Sequence, residues 1–263
     1  MRNMEKKSTD DKKSTEEKII KAFQNDFKKI KGMGPVDSQR SHNTGVGKTF
    51  EELIGVEENN LQLADYMGFL EVKSQRDESK SMLTLFTKSP NFPMYANTIL
   101  REDYGSPYKD APTVKKLHTT VSGATENSYE KKWSFKLKID KMQEKIFIIV
   151  KDLKTGEIVD DRTYYTFQTL KCIVEGKCQN IAYVKAKTQK DGKKEKFEYI
   201  SAELLTGLSF EKFIKAIEEG IILYDIRMGA YQSGKNKGKS HDHGSGFRIK
   251  TDSYSKVFTV TKL

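Results

Sequence analysis

Asp65-Tyr66-Met67-Gly68-Phe69-Leu70-Glu71-Val72-Lys73 is the stretch on which the reading of this chain turns. Glu71 and Lys73 flank the apolar Val72. On a strand, alternate side chains share a face, so the carboxylate and the ammonium point one way and Val72 turns into a core. Asp65 lies just upstream, across a turn at Gly68. Two carboxylates and an ammonium converging on one point can hold a divalent cation and activate a water, which suits phosphodiester hydrolysis. The spacing alone has little specificity in a chain with 32% charged residues, because a solvated strand face gives the same pattern by chance.

Working outward, Ser14-Thr15-Glu16-Glu17 reads as a capping box, and Ile19, Ile20, Phe23, Phe27 and Ile30 follow at helical spacing up to Gly32. Residues 1–13 are almost devoid of apolar side chains and are expected to be a disordered tail. Gly45 to Gly55 reads as a glycine-rich entry into a short helix with Phe50, Leu53 and Ile54 facing inward. Strands are expected at 69–74, 82–88, 133–139, 146–150, 181–187, 196–200, 221–226, 246–249 and 257–260. Thr155-Gly156 and Asp191-Gly192 mark hairpin turns, and residues 89–112, holding four of the five prolines, a long connection with a short helix near Thr98. Residues 167–174 read as a short helix, and Ser209 caps another carrying Phe210, Phe213, Ile214 and Ile217, closed by Gly220. The pattern is mixed, with more sheet than helix.

The 263 residues allow one large domain or two intimate lobes. Forty-seven Lys and Arg against 37 acids give a net charge of +10, which favours a polyanionic partner. Cys172 and Cys178 make neither a disulfide framework nor a zinc site. No apolar run approaches the length of a membrane span and no secretory leader is recognisable, so a soluble cytoplasmic protein is expected.

Two further motifs carry chemistry. GVGKT at 45–49 evokes a phosphate loop, but that loop needs a glycine where His42 stands. A glycine-rich turn with exposed N–H groups stays compatible with a DNA phosphate. Glu51 and Glu52, next along, suit the start of a helix as surface acids, or one of them joins Asp65 and Glu71. Residues 225–250 hold six Lys or Arg against two Asp. Lys235, Lys237 and Lys239 alternate with small residues as a flexible basic loop suited to a phosphate track. Asp225, Arg227, His241, Asp242, His243 and Arg248 supply donors and acceptors for base edges, Arg reaching guanine O6 and N7, Asp accepting from cytosine N4. His241 and His243 could instead share a transition metal, though no third ligand is evident.

Together these residues resemble the MvaI/BcnI group of type II restriction endonucleases, relatives of the MutH branch of the PD-(D/E)xK nucleases. The similarity runs from Asn43 to Arg248. It rests on NTGVGKTFEELIG at 43–55, Asn60-Leu61 up to Asp65, Glu71-Val72-Lys73, LTLFTKSP at 83–90, Ala96-Asn97-Thr98, TVSG at 120–123, DIRMGAYQSGK at 225–235, HDHG at 241–244 and Phe247-Arg248. The resemblance implies an α+β restriction-endonuclease-like core, a mixed central sheet flanked by helices, and two lobes forming a DNA-binding cleft. A catalytic lobe is expected at 14–125 and a DNA-recognition lobe at 126–263.

It further implies that Asp65, Glu71 and the carbonyl of Val72 coordinate Mg²⁺, that Lys73 orients or activates the attacking water, and that Glu51 is an additional catalytic acid. Asp225, Arg227, His241, Asp242 and His243 match positions used for major-groove contacts, and Arg248 one that approaches from the minor groove. The implied activity is cleavage of double-stranded DNA at a five-base-pair CC-x-GG-like site, leaving 5′-phosphate and 3′-hydroxyl ends. The implied agent is a monomer nicking each strand in turn, with a cognate DNA methyltransferase in the same system but no stable complex with it. The chain departs from the family pattern in one place: Glu71 stands six positions after Asp65 where the pattern has five, an insertion that Gly68 should let the turn absorb. A MutH-like strand-nicking repair enzyme, a non-catalytic DNA-binding protein and a nucleotide hydrolase resting on GVGKT are the alternatives.

Overall fold

The computed structural model describes residues 2–40, 44–56, 64–192 and 194–263. His42, Asn43, Asn60 and Leu61, all used in the sequence reading, lie outside them. In chain order the elements are α1 (Arg2–Gly32), β1 (Val36–Asp37), α2 (Gly45–Leu53), β2 (Glu71–Arg76), β3 (Leu83–Thr87), α3 (Ala96–Tyr104), β4 (Ser106–Pro107) and β5 (Lys115–Val121). There follow β6 (Trp133–Asp140), β7 (Lys145–Asp152), β8 (Ile158–Thr166), α4 (Phe167–Lys177), β9 (Asn180–Asp191) and β10 (Lys194–Thr206). The chain ends with α5 (Phe210–Glu218), β11 (Ile222–Ala230), β12 (Ser240–Asp242), β13 (Gly246–Ile249) and β14 (Thr259–Lys262). The fold is α+β, and no helix among the described residues is long and apolar enough to cross a membrane.

The chain forms two compact units, each assembled from separated segments. The first takes residues 1–80, 176–208 and 258–263, the second 81–175 and 209–257. The stretch 14–125, expected as one lobe, therefore contributes to both. The cause is long-range pairing: β2 lies parallel to β9, with Glu71 opposite Ile181 and Lys73 opposite Tyr183, and local periodicity carries no record of such a partner.

In the first unit the sheet order is β1-β10-β9-β2, with β14 also on β10. The long β9–β10 hairpin turns at Gly192, whose φ is +60°, where Asp191-Gly192 marked a turn. α1 begins at Arg2, so backbone expected as a disordered tail is helical and the Ser14 box lies within the helix. Lys and Glu are good helix formers, and the helix is extended N-terminally from its anchored part. That part carries Phe23, Phe27 and Ile30 into the core with Val46 and Phe50 of α2 and Val184, Phe197 and Tyr199 of the hairpin. The rings of Phe50 and Tyr199 lie 4.9 Å apart, and Phe23 meets Tyr66 edge-on at 5.3 Å. GVGKT is the start of α2 and not a loop. At Gly45 a Cβ would sit 2.3 Å from the Arg40 carbonyl oxygen, so only glycine permits this close approach.

The second unit holds a sheet of order β3-β13-β11-β5-β4, with β12 on β11, and a separate antiparallel sheet β6-β7-β8. α5 forms as its sequence signals: Ser209 accepts from the Lys212 N–H, and Phe213 and Ile217 are fully buried. Phe213 packs against Phe86 and Phe247, which cover the apolar face of the larger sheet with Tyr224.

Phe50 is fully buried against Phe23, Phe27 and Tyr199, on the helix that carries Glu51. Replacing it with alanine is expected to destabilise the protein by about 3–5 kcal/mol, measured as a lowered urea midpoint followed by circular dichroism.

Candidate active site and nucleic-acid interface

The turn before β2 decides where Asp65 goes. The Phe69 N–H donates to the Tyr66 carbonyl at 3.1 Å and the Tyr66 N–H to that of Leu70 at 2.9 Å. Met67 and Gly68 have φ of +51° and +68°, successive left-handed residues of the kind a tight type I′ turn requires. Asp65 folds back across this turn so that its Oδ2 accepts the Val72 N–H at 3.2 Å. The turn is also tied to α1. Tyr66 is buried and its hydroxyl donates to Asp26 Oδ2 at 2.8 Å, while Lys29 holds the other oxygen at 3.0 Å. Burial, then the Asp26 carboxylate, pushes the Tyr66 hydroxyl up to about 12. The Tyr66 and Lys29 hydrogen bonds hold Asp26 below the usual carboxylate range.

On β2, Glu71 is only 4% exposed. Lys73 Nζ donates to its Oε1 at 2.5 Å, and its Oε2 is buried without a hydrogen-bond partner. Burial alone would lower the Lys73 pKa, but the Glu71 charge and hydrogen bond, followed by Asp65, raise it. The neighbouring thiol of Cys178 is buried and pushed up to about 12 by desolvation, which makes it an inert packing group. Glu51 sits half-buried on α2, which packs against β2. After burial, its charge is the next cause raising the Tyr199 hydroxyl, which donates to the Val46 carbonyl.

This donor set suits a hard cation. Its free atoms are carboxylate oxygens, one of them buried and orphaned, as magnesium chemistry prefers. Among the described residues no group of three or more His, Cys, Asp or Glu could hold a metal. The acidic site therefore offers two carboxylates from Asp65 and Glu71, and an ion there would complete its shell with backbone and water oxygens.

The second unit presents a polar face built on β11. Arg227 stands opposite His118 of β5, and Asp225 opposite Thr120, so all four share one side of the sheet. Asp225 is buried and fully engaged: Thr120 Oγ1 donates to Oδ1 at 2.9 Å, Arg227 Nε donates to Oδ2 at 2.5 Å, and Arg248 Nε lies 3.0 Å from Oδ2 in an ion pair out of line for a hydrogen bond. Arg248 is also tied to Thr84 and to the Gly244 carbonyl.

Asp242 organises the loop after β12, accepting from the Gly244 and Ser245 N–H groups through Oδ1 and from Asn97 through Oδ2. His241 and His243 pack edge to face with ring centroids 4.4 Å apart, and His118 meets His243 at 6.0 Å. At Gly229 a Cβ would come within 2.7 Å of His243 Nε2, so the glycine makes room for that ring.

Lys235, Lys237 and Lys239 are exposed, on the stretch expected as a flexible basic loop. The Tyr231 N–H donates to the Lys239 carbonyl and the Gly238 N–H to that of Tyr231, with Gly234 and Gly238 in left-handed conformations. The lysines therefore project from a closed hairpin end. His118, Thr120 and Asn127 were missed from sequence. The alternation Leu117, Thr119, Val121 against His118 and Thr120 was the available signal for β5.

The model of the MvaI/BcnI restriction endonuclease family matches residues 24–258. The chain is similar to the solved structure of restriction endonuclease MvaI with its cognate DNA substrate, at a TM-score of 0.83 and 36% identity over 93% of this chain and 98% of that one. Restriction endonuclease MvaI in the absence of DNA matches with a TM-score of 0.60 and 35% identity over 93% and 97%. No curated protein matches the chain.

The tie between α1 and the Asp65 turn has a measurable signature. Tyr66→Phe and Asp26→Asn are each expected to lower stability by about 1 kcal/mol at neutral pH, and the double variant by no more than either alone. Because the folded-state pKa of Asp26 is depressed, this contribution is present above the ordinary carboxylate range and lost as pH falls through the folded value. Urea titrations at neutral and acidic pH check both statements, and additive losses at neutral pH would refute the coupling.

Proposed function

The chain belongs to the MvaI/BcnI restriction endonuclease family and is a site-specific DNA endonuclease, and from that premise we propose that it hydrolyses double-stranded DNA with Mg²⁺ at a short CC-x-GG-like site. The observation that carries the metal-dependent reading is the Glu71 carboxylate: buried, bonded on one oxygen to Lys73, unpaired on the other, with Asp65 folded back beside it. Asp65, Glu71 and the carbonyl of Val72 would hold the ion, and Glu51 is the additional acid. When bound, the ion supplies positive charge to the scissile phosphate and lowers the pKa of a water.

Lys73 orients the attacking water and stabilises the charge that builds on the phosphate oxygens. Water attacks phosphorus opposite the 3′ oxygen. The new P–O bond forms as the P–O3′ bond breaks, and a proton reaches the leaving oxygen, giving 5′-phosphate and 3′-hydroxyl ends. One such set of residues per chain fits a monomer that nicks each strand in turn. Arg227, His241, His243 and Arg248 read base edges, Asp225 and Asp242 belong to the same surface, and Lys235, Lys237 and Lys239 track phosphates. As a restriction enzyme it would work in the cytoplasm beside a cognate methyltransferase that it does not bind stably.

Purified protein with Mg²⁺ is expected to cut unmethylated plasmid DNA into discrete fragments. Glu71→Ala and Lys73→Ala should keep site-selective binding while cleavage falls by roughly 10²–10³-fold or more. A wild-type protein that cuts no unmethylated plasmid refutes the proposal, and one that only nicks with the help of other proteins favours the MutH-like alternative. Replacing Lys235, Lys237 and Lys239 together with alanine should weaken binding evenly across sequences. The slope of log affinity against log salt should become shallower by about 0.9 for each phosphate that the variant no longer neutralises.

A further inference from the structure

β5 and β11 form the floor of an open cleft of about 800 Å³ that His118, Thr120, Asn127, Tyr129, Arg227 and His243 help to line. Most of its polar atoms are already used. Thr120 donates to Asp225. Asn127 donates to Thr119 and to the Thr120 carbonyl while accepting from the Phe135 N–H. The Tyr129 hydroxyl is taken by Ser106 and the Lys116 carbonyl. Asp225 accepts from Thr120 and Arg227 and is ion-paired to Arg248. Among the described residues that line the cleft, the outer nitrogens of Arg227, the imidazoles of His118 and His243 and the hydroxyl of Ser128 have no hydrogen-bond partner.

We propose that His118 is a further base-reading residue, which with Arg227 and His243 makes the cleft a donor-rich seat for guanine. The inference rests on the reading of the chain as a DNA endonuclease. Guanine alone shows two acceptors, N7 and O6, on its major-groove edge, whereas adenine N6 and cytosine N4 are donors that need an acceptor. The carboxylate nearest to hand, Asp225, is buried and already carries Thr120, Arg227 and Arg248. Arg227 and His118 are directly opposed on neighbouring strands, where Cβ atoms lie about 5 Å apart. That is of the order of the roughly 3.4 Å rise of DNA, a spacing that suits two side chains on successive bases. Burial first, then the nearby His243, Lys116 and Arg227, lowers the His118 pKa against the opposing pull of Asp225. Burial and His241 do the same to His243, with Asp242 opposing and Arg227 assisting. Both shifts favour the neutral ring, which has one N–H to donate and one bare nitrogen that accepts.

Duplexes carrying the chain's own cleavage site, mapped by sequencing digested ends, can be built with 7-deazaguanine at one guanine at a time to delete a single N7. Wild type is expected to lose about tenfold in affinity at the guanine facing His118. His118→Ala should lose about as much on natural DNA and nothing more at that guanine, while Arg227→Ala still senses it. His118→Gln, which keeps an N–H donor, should restore part of the loss. Equal 7-deazaguanine penalties in wild type and His118→Ala at every guanine overturn the inference and leave the nuclease reading standing, as does a wild type indifferent to N7 everywhere. A wild type with no site-selective binding at all removes the nuclease reading itself.

Discussion

A carboxylate oxygen enclosed by protein and bonded to nothing is the constraint around which the first unit is organised. Glu71 is 4% exposed and its Oε2 has no partner, a situation that costs about 1–3 kcal/mol or more. Lys73 offsets part of this through the other oxygen. The position is tolerated because β2 is held by a parallel ladder on β9, where Ile181, Ala182, Tyr183 and Val184 are all buried, and because parallel strands are covered on both faces. The aromatic core of Phe23, Phe27, Phe50 and Tyr199 supplies the stability that lets one strand carry an unsatisfied charge.

The turn at Met67-Gly68 is what returns Asp65 to β2. Both residues take left-handed backbone conformations, which glycine adopts freely and methionine at some strain. In exchange, Tyr66 points into the core and reaches Asp26, and Asp65 returns to the β2 backbone. Position here comes from α1, far away in sequence, and not from the motif itself.

Elements set by local chemistry were legible in the sequence: the Ser209 cap with its apolar stripe, the hairpin turn at Gly192, the strand holding Glu71 and Lys73. What failed to show were features set by distant partners. Segments on both sides of residue 125 fold into each unit because β9 and β10 join β2 across the chain. β5 went unread although its residues alternate, and its pairing with β11 is what brings His118 and Thr120 beside Arg227 and Asp225. The Gly-Lys run reads as flexible, yet two backbone hydrogen bonds close it. Residue type pointed to chemistry, and long-range pairing decided which of those residues meet.

Glu71 and Asp225 are both buried acids on strands, and their surroundings assign them opposite work. Glu71 keeps an oxygen in reserve, so a cation entering there replaces a missing partner and displaces none. Asp225 is buried and uses both oxygens on Thr120, Arg227 and Arg248. Its contribution as the free protein stands is therefore to hold two guanidiniums in fixed orientation, so that little side-chain freedom remains to be lost when they meet a ligand. Because Arg227 Nε is committed inward, its outer edge is the part presented to the cleft, and that edge is a donor fork. The sign of recognition on this face follows: the carboxylate is consumed in aiming donors, and the partner has to bring the acceptors.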